Sequence, residues 1–198
     1  MSSAAVKTRV TPEQYLALER KAAFKSEYLN GQIIAMAGAS RPHNLVAGNL
    51  HAEIRAQLRD RPCESYVGDM RVYIPPTGLY TYPDVVAVCG EPQFQDGELD
   101  TLLNPTVIVE VLSPSTEAYD RGLKFAHYRR LASLREYVLV AQDRVLVERY
   151  TRRGDEWLLT EWSRPDDILR LASIDCDVAL REIYAKVPFP AGEELADA

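Results

Sequence analysis

Hydrophobic and polar positions alternate with two different periods along the chain, and the change of period marks its elements. After residues 1–10, which read as a loose arm, TPEQYLALERKA (11–22) opens a helix. Thr11 stands as N-cap, Pro12 at the first helical position, and Gln14 completes a capping box. EYLNGQIIAMAG (27–38) has two strand-like halves around Asn30-Gly31, a two-residue hairpin signal. Residues 41–59 read as a helix with Ala47, Leu50, Ile54 and Leu58 as its apolar stripe. Three strands are then expected, at 64–74, 82–89 and 105–112, with the loop-like GEPQFQDGELD between the last two. TEAYDRGLKFAHYRRLA (116–132) predicts a helix capped by Ser115 or Thr116. REYVLVA, RVLVERYTR and EWLLTEWS follow as strands, with turns at Gln142-Asp143 and Gly154-Asp155. A short helix from Val178 to Lys186 and a polar tail, 188–198, close the chain. The alternation of helices and strands without repeats or a long linker predicts one α/β domain over residues 11–187, with a mixed central β-sheet flanked by helices.

One position breaks the pattern. In VIVEVLSPST (107–116) the apolar strand carries Glu110 at its middle. Side chains alternate faces, so Ile108, Glu110 and Leu112 share one face and the three valines the other. With both faces covered, the carboxylate loses hydration, which a metal ion, a role as a buried base or a salt bridge can each account for. Asp84 stands at the start of a second apolar strand, YPDVVAVC. If the two strands are neighbours, Asp84 and Glu110 converge, and a cation or a proton must hold them together. Mg²⁺ suits such a pair, because it takes one or two carboxylates, several waters and phosphate oxygens.

Lys124 lies on the helix that follows the Glu110 strand. Its place seven residues past Glu117 is about 10 Å along a helix. Glu110 lies two residues before its strand end, about 7 Å back. A helix that returns across the sheet therefore brings the two roughly level, and the lysine reaches the carboxylates. There it can orient a water or stabilise charge developing on a phosphate. The simpler alternative is a helical pair of Lys124 with Asp120, four residues before it.

The motifs EYLNGQIIAMAG, PHNLVAGNL, YPDVVAVC, VIVEVLSPSTEAYDRGLKFAHYRRL and REYVLV resemble the Uma-two family of endonucleases over roughly residues 11–185. That family belongs to the PD-(D/E)XK superfamily, so the resemblance implies a restriction-endonuclease-like fold. It also implies Asp84 and Glu110 as ligands of Mg²⁺ or Mn²⁺, Lys124 as the catalytic lysine, and Glu27 as a further acid of the site. One departure stands out. Two residues after Glu110, where the superfamily carries its lysine, this chain has Leu112.

Other residues have two readings each. His43 at the start of its helix either faces the site or caps the helix, and Asn44 is similar. Asp69, beside Gly68, is a site residue or a strand-edge acid. Asp120 shares a helix face with Lys124 and Tyr128 and can hold the lysine in place. Tyr128 reads as core with its hydroxyl at the edge, and His51 and His127 as ordinary helix positions. Glu27 on residue type alone is an exposed cross-strand charge. Arg41, Arg71, Arg121, Arg129 and Arg130 either line a backbone-binding groove or are scattered surface charges. Trp157 and Trp162 are five apart and face opposite sides of a regular strand.

Composition narrows the function further. A net charge of −6 with a pI near 5.2 argues against a nucleic-acid coat protein, but not against an enzyme whose site is itself acidic. Cys63, Cys89 and Cys176 form neither a CxxC pair, a disulfide framework nor a zinc site, and a reducing cytoplasm is the simple reading. No stretch reaches the apolar length of a membrane span, and the N-terminus lacks the apolar core of a signal peptide. The expected function is a metal-dependent endonuclease hydrolysing DNA phosphodiester bonds, with a homodimer compatible with double-strand cleavage. The alternatives are a catalytically silent nuclease-fold module that binds nucleic acid or a protein partner, and a dimeric scaffold whose carboxylates are structural.

Overall fold

The computed structural model describes residues 9–189. Most of the expected arm and tail thus lie outside the described residues. The first helix, α1 (Pro12–Glu19), carries the complete capping box: Gln14 N donates to the Thr11 side chain, and the Gln14 side chain accepts from Thr11 N. The hairpin β1 (Ser26–Leu29) and β2 (Gln32–Ala35) turns through Asn30 and Gly31, both at positive φ (50° and 88°). Two such residues in succession are what a tight hairpin turn requires. Helix α2 (Arg41–Leu58) buries Ala47, Leu50, Ile54 and Leu58, together with Val46.

The next expected strand is broken in two. β3 (Cys63–Val67) and β4 (Arg71–Ile74) belong to different sheets, and the chain crosses between them at Gly68, with φ 70°. Apolar alternation continues through the break and hides it, whereas a residue at positive φ ends strand geometry. The chain crosses back between β5 (Leu79–Thr81) and β6 (Val85–Cys89). Pro83 and Asp84, expected inside a strand, therefore sit at the junction of the two sheets. The short β7 (Thr101–Leu102) precedes the fully buried β8 (Val107–Leu112).

Residues 117–128 form helix α3, whose middle, Asp120–Lys124, is a π-helical turn. Neither expected serine or threonine caps it. Thr116 holds the N-cap position without a side-chain cap bond, and Glu117 N bonds the Ser113 carbonyl instead. β9 (Glu136–Ala141), β10 (Val147–Arg153) and β11 (Glu156–Trp162) follow as expected. The final expected helix forms in shortened form, Leu180–Ile183, and is preceded by a hairpin, β12 (Ile168–Leu171) and β13 (Cys176–Ala179), that the pattern does not announce.

One sheet runs β11-β10-β9-β8-β6-β3, and the other β2-β1-β5-β4-β7. In the first, β8 and β9 are parallel and α3 is their crossover, while every other neighbouring pair is antiparallel. This gives the mixed α/β architecture the pattern predicts, with the strands divided between two main sheets. Val107, Val109 and Val111 pack in one core with α2, whereas Ile108 and Leu112 pack in a second core with Tyr128 of α3 and Leu79 of the other sheet. Glu110 lies on the second face. Trp157 and Trp162 pack against opposite cores, as their spacing predicts.

The cysteine reading needs correction. Cys63 and Cys89 are register partners across β3 and β6 and form a disulfide, whereas Cys176 is a buried free thiol. Strand pairing brings together two residues 26 apart, which their spacing does not reveal. Among the described residues no helix is long and apolar enough to cross a membrane.

Candidate active site

Three acidic residues, Glu110, Glu27 and Asp120, contact Lys124, and Asp84 lies beside Glu110. The pairs Val85↔Val109 and Val86↔Ile108 set the antiparallel register of β6 and β8. Extended by one residue, that register sets Asp84 opposite Glu110 on the same face. Glu27 comes from β1 of the other sheet, and Asp120 from the first residue of the π-helical turn. Lys124 ends that turn. Its Nζ lies 2.9 Å from Glu110 Oε1, 3.4 Å from Glu27 Oε1 and 3.4 Å from Asp120 Oδ1. Lys124 and Glu27 are each only 5% exposed, and Glu110 and Asp120 only 3%. A π-turn inside an α-helix is uncommon and is frequently found at functional sites.

Each partner has further bonds. The Tyr128 hydroxyl donates to Glu110 Oε1 at 2.6 Å. Glu27 accepts from the Thr81 hydroxyl on Oε1 and from the Tyr119 hydroxyl on Oε2, the latter at 3.0 Å. Asp84 Oδ2 accepts the Val111 N–H at 2.7 Å and lies 3.3 Å from His43 Nε2. His43 itself lies one residue after Pro42 in the first turn of α2, and Ser40 caps that turn.

The electrostatics follow from burial. Loss of water, reinforced by the Asp120 and Asp84 charges and opposed by Lys124, pushes the Glu110 carboxyl up to about 8. Burial also raises Asp120. Burial pulls the Lys124 ammonium down, but Glu110, Glu27 and Asp120 outweigh it and hold the lysine well above its ordinary value. The cluster therefore holds a charged lysine among carboxylates that share too few cations.

A metal fits the donor set at Asp84 and Glu110. Glu27 has both oxygens occupied by hydroxyls. Glu110 Oε2 and Asp84 Oδ1 take no hydrogen bond among the described residues. Two free carboxylate oxygens at adjacent strand positions suit Mg²⁺ or Mn²⁺, which complete their shells with water and phosphate. No group of three or more His, Cys, Asp or Glu among the described residues is arranged to hold a metal.

Several expected residues lie elsewhere. The Asp69 side chain is 90% exposed and bonds Lys25, so it does not join the cluster. Arg71 is no groove residue. It is buried, bonds Tyr82 and Asp100, and ties β4 to the loop before β7. Arg121 is occupied by Glu117 and Glu148. Arg41, Arg129 and Arg130 are exposed. Thr81, Tyr119 and the Tyr128 hydroxyl were not expected as parts of the site. Only Tyr128 left a signal, since its i+4 spacing from Lys124 sets both on one helix face. Tyr128→Phe keeps the ring packing and removes one hydrogen bond to a buried carboxyl. It is expected to cost about 1–2 kcal/mol in urea denaturation, with no shift in the far-UV spectrum.

Comparison with known proteins agrees with this fold. Residues 12–181 match the Uma2 family, described as "Putative restriction endonuclease". An uncharacterized protein of Synechocystis, sll1609, is 42% identical over 153 residues, 77% of this chain and 86% of that one. A second from the same organism, slr1290, is 36% identical over 182 residues, 91% and 94% of the two chains. The crystal structure of a putative nuclease belonging to DUF820 from Anabaena variabilis superposes with a TM-score of 0.70 at 16% identity, covering 87% of this chain and 96% of that one. At that identity the likeness concerns the fold. The family match spans nearly the whole of the described residues, and the chain belongs to the Uma2 family of restriction-endonuclease-like proteins.

Proposed function

We propose that this protein is a metal-dependent endonuclease that hydrolyses DNA phosphodiester bonds. The observation that carries the reading is a buried lysine in contact with Glu110, beside Asp84, which the Val111 N–H of the same strand holds. Asp84 and Glu110 would hold Mg²⁺ or Mn²⁺ through their two free oxygens. The bound ion would supply a positive charge for the phosphate and lower the pKa of a water.

The chain's own groups do the rest. His43 and the Val111 N–H fix Asp84 by occupying its other oxygen. Tyr128 fixes Glu110 in the same way. Lys124 keeps its proton among the carboxylates, so it acts as a donor and a positive charge, not as a base. Its two 3.4 Å contacts, to Glu27 and Asp120, are the ones it can relax to meet a water or a phosphate oxygen.

A second reading draws on the same burial. A lysine this enclosed can serve only to join the two sheets, and the protein would then be a silent nuclease-fold module that binds nucleic acid or a protein partner. Incubating plasmid and single-stranded DNA with purified protein and Mg²⁺ or Mn²⁺, beside Glu110→Gln and Lys124→Ala, separates the two. Metal-dependent cleavage lost in both variants supports the nuclease. Folded wild type that cuts nothing with either metal leaves the silent module.

A further inference from the structure

A cavity of about 250 Å³ is lined by Pro42, Pro114, Gln142, Asp143, Pro188 and Phe189. Its position follows from the topology. Leu112 and Ala141 are register partners at the ends of the parallel strands β8 and β9. Pro114 and Gln142 directly follow those ends, where ligands collect in α/β sheets. Pro42 precedes His43, which contacts Asp84. Glu110 lies two residues back along β8, about 7 Å from the strand end. The cavity therefore lies beside the end of α2 that carries His43 to Asp84.

The lining is chemically selective. Three prolines and the Phe189 ring offer flat apolar surface, and no cation lines the cavity. Gln142 is nearly buried, and its Oε1 accepts the Ser40 hydroxyl, which fixes its amide beside the cavity. Asp143 is paired with Arg144 at 3.0 Å, and the Arg144 side chain remains 40% exposed. Arg41, next to Pro42, is also exposed. One carboxylate, Asp143, thus lines an otherwise apolar recess, and Arg144 balances its charge. The volume of 250 Å³ is just below the ~300–1,000 Å³ of pockets for drug-sized ligands. It has room for one planar base, not for a base pair.

We infer that this cavity takes a single unstacked nucleobase next to the phosphate held at Asp84 and Glu110, so that the substrate is single-stranded or locally unpaired DNA. The inference rests on the nuclease reading above and narrows its substrate. The prolines and Phe189 cover the faces of the base, and Gln142 meets its polar edge. Duplex DNA must first expose a base, which costs unstacking energy.

The test is titration of the full chain, with Ca²⁺ in place of Mg²⁺, into a short oligonucleotide carrying one 2-aminopurine, single-stranded or in duplex. The single strand is expected to bind about tenfold more tightly than the duplex, with a change in 2-aminopurine fluorescence. Pro188→Trp, at an exposed position, fills the cavity, and Phe189→Ala removes its aromatic wall. Each is expected to weaken single-strand binding about tenfold while the protein keeps its thermal transition. Equal binding of both forms, binding of neither, or indifference of the single strand to a folded cavity variant overturns the inference. Plasmid cleavage by the same preparation with Mg²⁺ decides the separate question. Cleavage without a cavity effect sinks only the base pocket, and no cleavage sinks the nuclease reading.

Discussion

Lys124→Ala is expected to lower stability by about 3–5 kcal/mol near pH 8, the usual cost of removing one partner from a buried ion pair. Three carboxylates, Glu27, Glu110 and Asp120, then face one another without the ammonium between them. The loss depends on pH with a definite sign. Glu110, already up to about 8, rises further once its opposing cation is gone, and Asp120 rises with it. A carboxyl whose folded pKa exceeds its unfolded value makes the folded state bind more protons, so stability falls as pH rises across that window. Urea denaturation of Lys124→Ala should therefore show a clear gain in stability from pH 8 to pH 5, larger than in the wild type. Equal stability of the variant at the two pH values would mean that the carboxylates do not depend on Lys124.

Glu110→Gln is expected to do the opposite, sparing the fold and stopping the chemistry. Burial pushes Glu110 up to about 8, so its site already disfavours a full negative charge. An amide of the same shape keeps an acceptor for Tyr128, and stability should stay within about 1 kcal/mol of the wild type. A neutral amide is a poor partner for Mg²⁺. Loss of outer partners of a metal site already costs ~10–100-fold in affinity or activity, so loss of a ligand should cost more than about a hundredfold in DNA cleavage. Urea midpoints and plasmid nicking on the same preparations check both halves. A nicking rate near that of the wild type would remove Glu110 from the reaction.

These expectations rest on a site that was only partly legible in the sequence. Glu110 announced itself because a carboxylate in the middle of an apolar strand is costly. Lys124 could be set beside it by helix and strand rise alone, and the contact is 2.9 Å. The convergence of Glu27 was not readable from its own residue type. It depends on a second sheet whose strands β5 and β7 are too short, at three and two residues, to leave a pattern. For the same reason Thr81, on β5, went unnoticed. The 64–74 segment looked like one strand because its side chains keep alternating while the backbone turns at Gly68. Asp69 follows that turn out to solvent. Arg71 looked like a groove residue, since nothing local to it shows that Tyr82 and Asp100 enclose it. Local period and propensity were visible, whereas register, sheet partition and the Cys63–Cys89 pairing arise only when distant segments meet.

The account turns on whether Asp84 and Glu110 act as one metal site. The most direct measurement is diffraction from crystals of the full chain soaked in Mn²⁺, recorded to locate manganese by its anomalous signal. The account predicts a peak at bonding distance, ~2.0–2.2 Å, from an oxygen of each carboxylate, and its absence in crystals of Glu110→Gln. No peak beside Glu110, with Lys124 still enclosed by its carboxylates, would contradict it and leave the cluster as the brace between two sheets.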